Sequence, residues 1–219
     1  MGPCYSHTIR EREESGVKLL IATHNRGKVA EYAQIMPDLG LELVSLADVG
    51  VDLAVEETGA TYAENALIKA RSYATATGLP TLGDDSGIEI DALGGEPGVY
   101  SARYGGEDAS DEDRYRLVLR RMAKVPDAQR TARFRCVIAL VWPDGEEDLV
   151  EGVCEGRIAR EPTGTHGFGY DPVFFVPEYD RTMAELPPEV KNRISHRGRA
   201  ARAARDVLAR RMSERQDGS

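Results

Sequence analysis

The sequence contains no long hydrophobic run. None of its apolar stretches approaches the roughly 18 residues of a helical membrane span, so no membrane partner is expected. Cysteine is scarce: Cys4, Cys136 and Cys154 are the only three in 219 residues. An odd number without metal-ligand spacing excludes a disulfide framework, fits a reducing compartment and makes a cytoplasmic location the expectation. Basic charge is in deficit, with 28 Lys and Arg against 37 Asp and Glu and a formal net charge of −9. A general duplex or membrane-surface binder carries a basic footprint, so that class is excluded, while a nucleotide in a locally basic cleft is not. The aromatic–basic platform of a single-strand binder is also missing, so no nucleic-acid partner is expected. Internal repeats and low-complexity segments are absent. Residues 1–16 are polar and charged and lack the apolar core of a signal peptide. They are expected to form a disordered extension, with 213–219 a frayed tail and 17–212 a single two-lobed domain.

What is present reads as alternating strands and helices. Residues 17–23 predict a strand, 28–36 a helix stopped by Pro37, and 41–46 a second strand. Thr61 and Glu64 form a capping box before a helix with the apolar stripe Ala63, Ala66, Leu67, Ala70, Tyr73 and Ala74, which Gly78 ends. Residues 81–84 and 88–91 predict two short strands joined by an acidic turn, and 111–123 a helix. Residues 134–142 and 148–154 predict a hairpin turned at Pro143-Asp144-Gly145. Its distance in sequence from the first α/β units suggests a second lobe or a protruding pair of strands. Residues 173–176 predict a strand, 188–194 a short helix and 197–212 the last helix. Arginines 197, 199, 202, 205, 210 and 211 on that helix read as a mostly solvated basic face. Cys136, inside an apolar run, reads as core.

Two polar motifs stand out. Gly83-Asp84-Asp85-Ser86-Gly87 sets adjacent carboxylates between glycines. Carboxylates held together repel unless a cation or proton is shared, and hard oxygens suit Mg²⁺, which takes one or two carboxylates plus waters and phosphate oxygens. Asp84 reads equally well as a metal ligand or as a turn-stabilising side chain. Upstream, Thr23-His24-Asn25-Arg26-Gly27-Lys28 lies between a strand and a helix. Free N–H groups at a helix start, with Lys28 and Arg26, suit an anion. The spacing is not that of a Walker loop, and the alternative is a strand-to-helix turn capped by Asn25.

These two motifs, together with Glu56-Glu57-Thr58-Gly59, His166-Gly167-Phe168-Gly169-Tyr170-Asp171-Pro172 and Ile194-Ser195-His196-Arg197-Gly198, occur in one order over most of the chain. The set resembles the inosine/xanthosine triphosphate pyrophosphatase family. That resemblance implies an α/β fold: an elongated mixed sheet with flanking helices and two lobes around a central substrate cleft, in a homodimer. It implies Mg²⁺-dependent hydrolysis of ITP, dITP and XTP to the monophosphate and pyrophosphate, which cleanses the nucleotide pool. Carried over by position, Thr23, His24, Asn25, Arg26, Gly27 and Lys28 resemble the triphosphate loop. Glu57 and Asp85 resemble the metal-binding carboxylates, with Asp85 also the general base. Ser86, Phe168, Gly169, Tyr170, Asp171, Lys191, His196 and Arg197 resemble the remaining substrate contacts. His24 departs from the pattern, where members often carry a small residue.

The chemistry asked of these residues is consistent. A carboxylate-held cation activates water and neutralises the phosphoryl group, and Lys28 with the loop amides neutralises the triphosphate. Donors aimed at the purine 6-oxo group accept a deaminated base and leave adenine mismatched, at about 1–3 kcal/mol per unmatched buried donor. Arg197, Lys191 and His196 are donor-rich, and Phe168 can stack on the base. Two rival readings are a pyrophosphatase for other modified nucleotides, as in the Maf-like proteins, and a nucleotide-binding regulatory module without catalysis.

Overall fold

The computed structural model describes residues 17–37 and 40–217. Twelve regular elements among them build one sheet and its covering helices. In chain order these are β1 (Val17–Ile21), α1 (Arg26–Ile35), β2 (Leu41–Ser45), α2 (Tyr62–Thr77), β3 (Thr81–Ile90), α3 (Asp111–Arg121), β4 (Thr131–Val141), β5 (Glu147–Ile158), β6 (Phe174–Val176), β7 (Arg181–Thr182), α4 (Pro188–Ile194) and α5 (His196–Asp217). The expected extension at 1–16 lies outside the described residues.

Seven strands form a mixed sheet in the order β2-β1-β3-β4-β5-β6-β7. β1 runs parallel to β2 and β3, and the pairs from β3 onward are antiparallel. The hairpin strands therefore belong to the same sheet as the first α/β units. β4 pairs with all of β3, from Thr81 opposite Val141 to Ile90 opposite Ala132.

The acidic stretch is not a turn either. Residues 81–90 form one continuous strand. Glycine and aspartate are poor strand formers, so the local signal pointed to a bend, but pairing with β4 along the full length outweighs it. The flanking glycine has a packing reason: a Cβ at Gly83 would lie 2.6 Å from the Ala66 carbonyl oxygen and 2.9 Å from the Ala70 nitrogen. A hydrogen atom there lets α2 lie directly on the strand. On β5, Gly152 does the same for α5, since a Cβ there would collide with the His196 carbonyl oxygen and the Ala200 nitrogen.

Helix boundaries follow their caps. Asn25 Oδ1 accepts from Gly27 N (2.9 Å) and Lys28 N (3.2 Å), which starts α1 at Arg26, two residues earlier than expected. Thr61 and Glu64 form the expected box, and Gly78 closes α2 in the left-handed conformation (φ 67°). α5 begins one residue early, at His196, and continues to Asp217. Its arginines do more than face solvent. Arg199 donates to the Val153 carbonyl, Arg202 to that of Asn192, and Arg211 pairs with Asp148 at 2.9 Å. Arg197 is buried.

Of the four hydrophobic clusters among the described residues, two contain residues of β3, at its opposite ends. One holds Ile88 and Ile90 of β3 with Phe134, Met122, Tyr170 and Phe174. The other holds Leu82 of β3 with Leu19, Tyr32, Cys136, Ile138, Leu140, Ala200 and Leu208. Asp84, Asp85 and Ser86 fall between them. β3 pairs with β1 only at Thr81 and Leu82 and then runs beyond it. The acidic residues thus sit where the first strand ends and the Thr23–Lys28 motif begins.

Candidate active site

Side chains on a strand alternate between faces, and β3 uses this to separate its two carboxylates. Asp84 and Ser86 point toward α1 and α5. Asp84 Oδ2 is 2.9 Å from Lys28 Nζ and 3.5 Å from Arg197 Nε, and Ser86 Oγ accepts from Arg197 Nη2 at 3.0 Å. Asp85 points toward α2, where Asn65 Nδ2 donates to its Oδ2 at 3.0 Å. The neighbouring carboxylates therefore make their close contacts with different groups, although the charges of Lys28 and Lys69 reach both. Asp84 is locked in an ion-pair lattice rather than stabilising a turn. Burial pushes its carboxyl up, but Lys28, Arg197 and Lys69 outweigh that and hold it well below the usual range. Burial pushes the Asp85 carboxyl up, only partly opposed by Lys69 and Asn65.

Lys69, on α2, was not anticipated. Its ammonium pairs with Glu57 Oε1 at 2.9 Å and lies in the fields of Asp84 and Asp85. Burial pulls its pKa down, but those carboxylates hold it above the ordinary lysine value. A signal for it existed: Lys69 falls on the buried face of α2, three residues after Ala66 and seven after Tyr62.

The His166–Pro172 motif, expected on the base side, forms a second wall. Asp171, buried at 3% exposure, accepts from Phe168 N (2.9 Å) and from Lys191 Nζ (2.6 Å). Lys191 also meets Glu31 Oε1 at 2.8 Å, and the other Glu31 oxygen takes Arg197 Nη1 at 2.6 Å. Lys28, Asp84, Arg197, Glu31, Lys191 and Asp171 thus alternate in sign through one connected chain. Burial pushes the Glu31 carboxyl up, yet Arg197 and Lys191 bring it below its ordinary value. No sequence motif pointed to Glu31, because one glutamate on a half-exposed helix reads as solvated surface. Lys191 Nζ and the Arg197 guanidinium lie 4.7 and 5.5 Å from the Phe168 ring centroid. His196 is buried and stacks on Phe134 with ring centroids 4.6 Å apart. Burial, reinforced by Arg197 and Lys191, drives its pKa well below 6.5.

These walls enclose a cavity of about 210 Å³. Asn25, Lys28, Glu57, Lys69, Asp85 and Ser86 line one part of it, and Phe168, Gly169, Tyr170, Asp171, Lys191, His196 and Arg197 another. Four residues of the phosphate-loop motif lie off this lining. Thr23 Oγ1 accepts from Asn25 N, and Arg26 is exposed. His24 Nε2 approaches Tyr73 Oη (3.3 Å) and the Leu53 carbonyl (3.4 Å). Gly27 packs against the Phe168 ring, where a Cβ would stand 3.1 Å away, so the loop and the base-side turn touch. Among the described residues, no group of three or more His, Cys, Asp or Glu gathers to hold a metal. Four carboxylates line the cavity: Glu57 and Asp85 on the side of Lys28 and Lys69, Asp111 and Asp171 on the side of Phe168. No helix among the described residues is long and apolar enough to cross a membrane.

Comparison with known proteins agrees with this geometry. The chain is 53% identical to the dITP/XTP pyrophosphatase of Shigella flexneri over 195 residues, covering 87% of this chain and 98% of that one. The Bacillus subtilis dITP/XTP pyrophosphatase is 49% identical over 189 residues, 86% of this chain and 96% of that one. A HAM1 protein from Coxiella burnetii superposes with a TM-score of 0.81 at 45% identity, covering 89% of this chain and 99% of that one. The family profile that matches residues 19–207 is that of the Ham1 family, and with these relatives spanning nearly its whole folded length, the chain belongs to that family.

Proposed function

We propose that this protein hydrolyses deaminated purine nucleoside triphosphates (ITP, dITP and XTP) to the monophosphate and pyrophosphate. The observation that carries this reading is the single cavity whose walls join Glu57, Asp85 and Lys69 to Lys28 and to the Phe168–Asp171 turn with Lys191, His196 and Arg197. The names of the relatives, dITP/XTP pyrophosphatases at about half identity, support it.

Glu57 and Asp85 fit Mg²⁺ as a partial shell. Two carboxylates leave most positions to water and phosphate oxygens, as this ion prefers. When bound, the ion would lower the pKa of a water and neutralise phosphoryl charge. The chain's own residues do the rest. Lys28 and Lys69 supply positive charge from two elements to a triphosphate tail. Asp85, with Asn65 holding Oδ2, is placed to take the proton of the attacking water as general base. Lys191 and Arg197 are fixed beforehand by Glu31 and Asp171, so donors beside Phe168 need little reorganisation when a base arrives. His196, kept neutral by burial, offers an unpartnered Nδ1 among the described residues.

Cytoplasmic location and homodimeric assembly belong to the same reading. Buried free thiols at Cys136 and Cys154 suit a reducing compartment, and sedimentation of the purified chain tests the dimer. The deciding experiment is a panel of ITP, XTP, dITP, GTP, ATP and methylated pyrimidine triphosphates, with and without Mg²⁺, scored by pyrophosphate release. Preference for the deaminated purines is expected. Preference for a methylated pyrimidine would favour the Maf-like alternative, and binding without turnover the regulatory one.

A further inference from the structure

The donors gathered near Phe168 come from α4 and α5. Hypoxanthine carries one exocyclic oxygen, at position 6. Xanthine carries a second, at position 2, on the other side of N1. The cavity has another cationic wall that no motif includes. Arg114, in the first turn of α3, lines it beside Asp111, Ser101 and Tyr170.

Three observations place this guanidinium at the base end. Its Nη1 donates to Asp111 Oδ1 at 2.9 Å, and the other oxygen of Asp111 accepts from Gly169 N at 2.7 Å, so Arg114 is one residue removed from the base-side turn. Burial pushes the Tyr170 phenol up, and the largest opposing influence is Arg114, which sets its charge near that ring. Its Nε is buried without a hydrogen-bond partner among the described residues, and the side chain as a whole is 17% exposed. A buried donor left unmatched is costly, and a substrate oxygen in this cavity would relieve it.

We propose that Arg114 is a specificity-determining residue that donates to the 2-oxo group of xanthine in XTP. The same donor meets only a C–H in ITP and opposes the 2-amino group of GTP. It thereby provides a means of rejecting guanine that the α4–α5 wall alone does not. This rests on the pyrophosphatase reading above.

The test compares kcat/KM for XTP, ITP and GTP, by pyrophosphate release, in the full chain and its R114A, R114K and D111N variants. The XTP-to-ITP ratio is the readout, because both substrates meet the same folded fraction. The ratio is expected to fall about tenfold in R114A, carried by KM for XTP, and less in R114K; GTP is expected to gain relative to XTP. D111N, which loosens both the Gly169 turn and the Arg114 guanidinium, is expected to weaken both substrates, XTP the more. An unchanged ratio in R114A, whether both substrates fall together or neither does, overturns the assignment and leaves a ribose contact or a packing role. An XTP-selective loss on adding D111N to R114A overturns it too, by giving the selectivity to the turn. Failure of the unmodified chain to release pyrophosphate from either nucleotide refutes the underlying activity instead, an outcome distinct from the others.

Discussion

At the scale of single residues, Asp84 and Asp85 are adjacent in sequence yet face different charges. Asp84 is buried at 1% exposure against Lys28 and Arg197, whereas Asp85 meets Asn65 and the cavity. Their replacement should therefore differ in kind. D85N removes a candidate base and metal ligand while keeping a group of the same size. Its turnover is expected to fall about 10²–10⁴-fold with measurable ITP binding retained, read by pyrophosphate release alongside equilibrium titration. Wild-type turnover in D85N would refute the mechanism. His196 makes a different prediction, on stability. In the unfolded chain it takes a proton near 6.5, and in the folded protein its pKa lies well below that. Below that pH the unfolded state binds the extra proton, so this histidine's contribution to stability is complete at higher pH and declines as the solution is acidified. The slope approaches one proton, about 1.4 kcal/mol per pH unit. Urea midpoints between pH 7 and pH 5 check it, and H196Q should flatten that part of the curve.

At the scale of elements, the helices were legible and the central strand was not. Thr61 with Glu64, Asn25, and Gly78 are local signals, because a cap needs only its own turn. β3 is decided by a partner some fifty residues away, and nothing within Gly83–Gly87 announces that pairing. The candidate site shows the same division. Residues in motifs, such as Asp85, Phe168 and Arg197, could be named from the chain. Glu31, Asn65 and Arg114 could not, because a helical polar residue looks alike in sequence whether it meets water or a buried ion. Lys69 was the exception, readable as a charge on an apolar stripe. The packing of α2 on β3 yields a test. In G83A the added methyl meets helix backbone, which cannot swing aside as a side chain could. A loss of about 1–3 kcal/mol is expected, measured by urea unfolding. The KM for ITP should rise too, because the displaced helix carries Asn65 and Lys69.

At the scale of the whole molecule, one sheet bears four apolar clusters, and the cavity opens at the polar belt on β3 between the two that share that strand. Among the described residues no cluster of three metal ligands gathers, and the proposed partial shell is two carboxylates. EDTA is expected to stop turnover while shifting the Tm of the nucleotide-free protein by less than about 2 °C, because little ion is bound to the folded state before substrate arrives. A large drop in Tm, followed by calorimetry, would contradict the partial-shell reading. The belt is also set from a distance. At Gly152 the first turn of α5 rests directly on the hairpin, near the point where His196 and Arg197 enter the cavity. On the proposed reading, how deeply the protein can inspect a purine is therefore governed by bare backbone on a strand that does not line the cavity. Any side chain there, even a methyl, would draw the reading residues back and blur the choice between one base and the next.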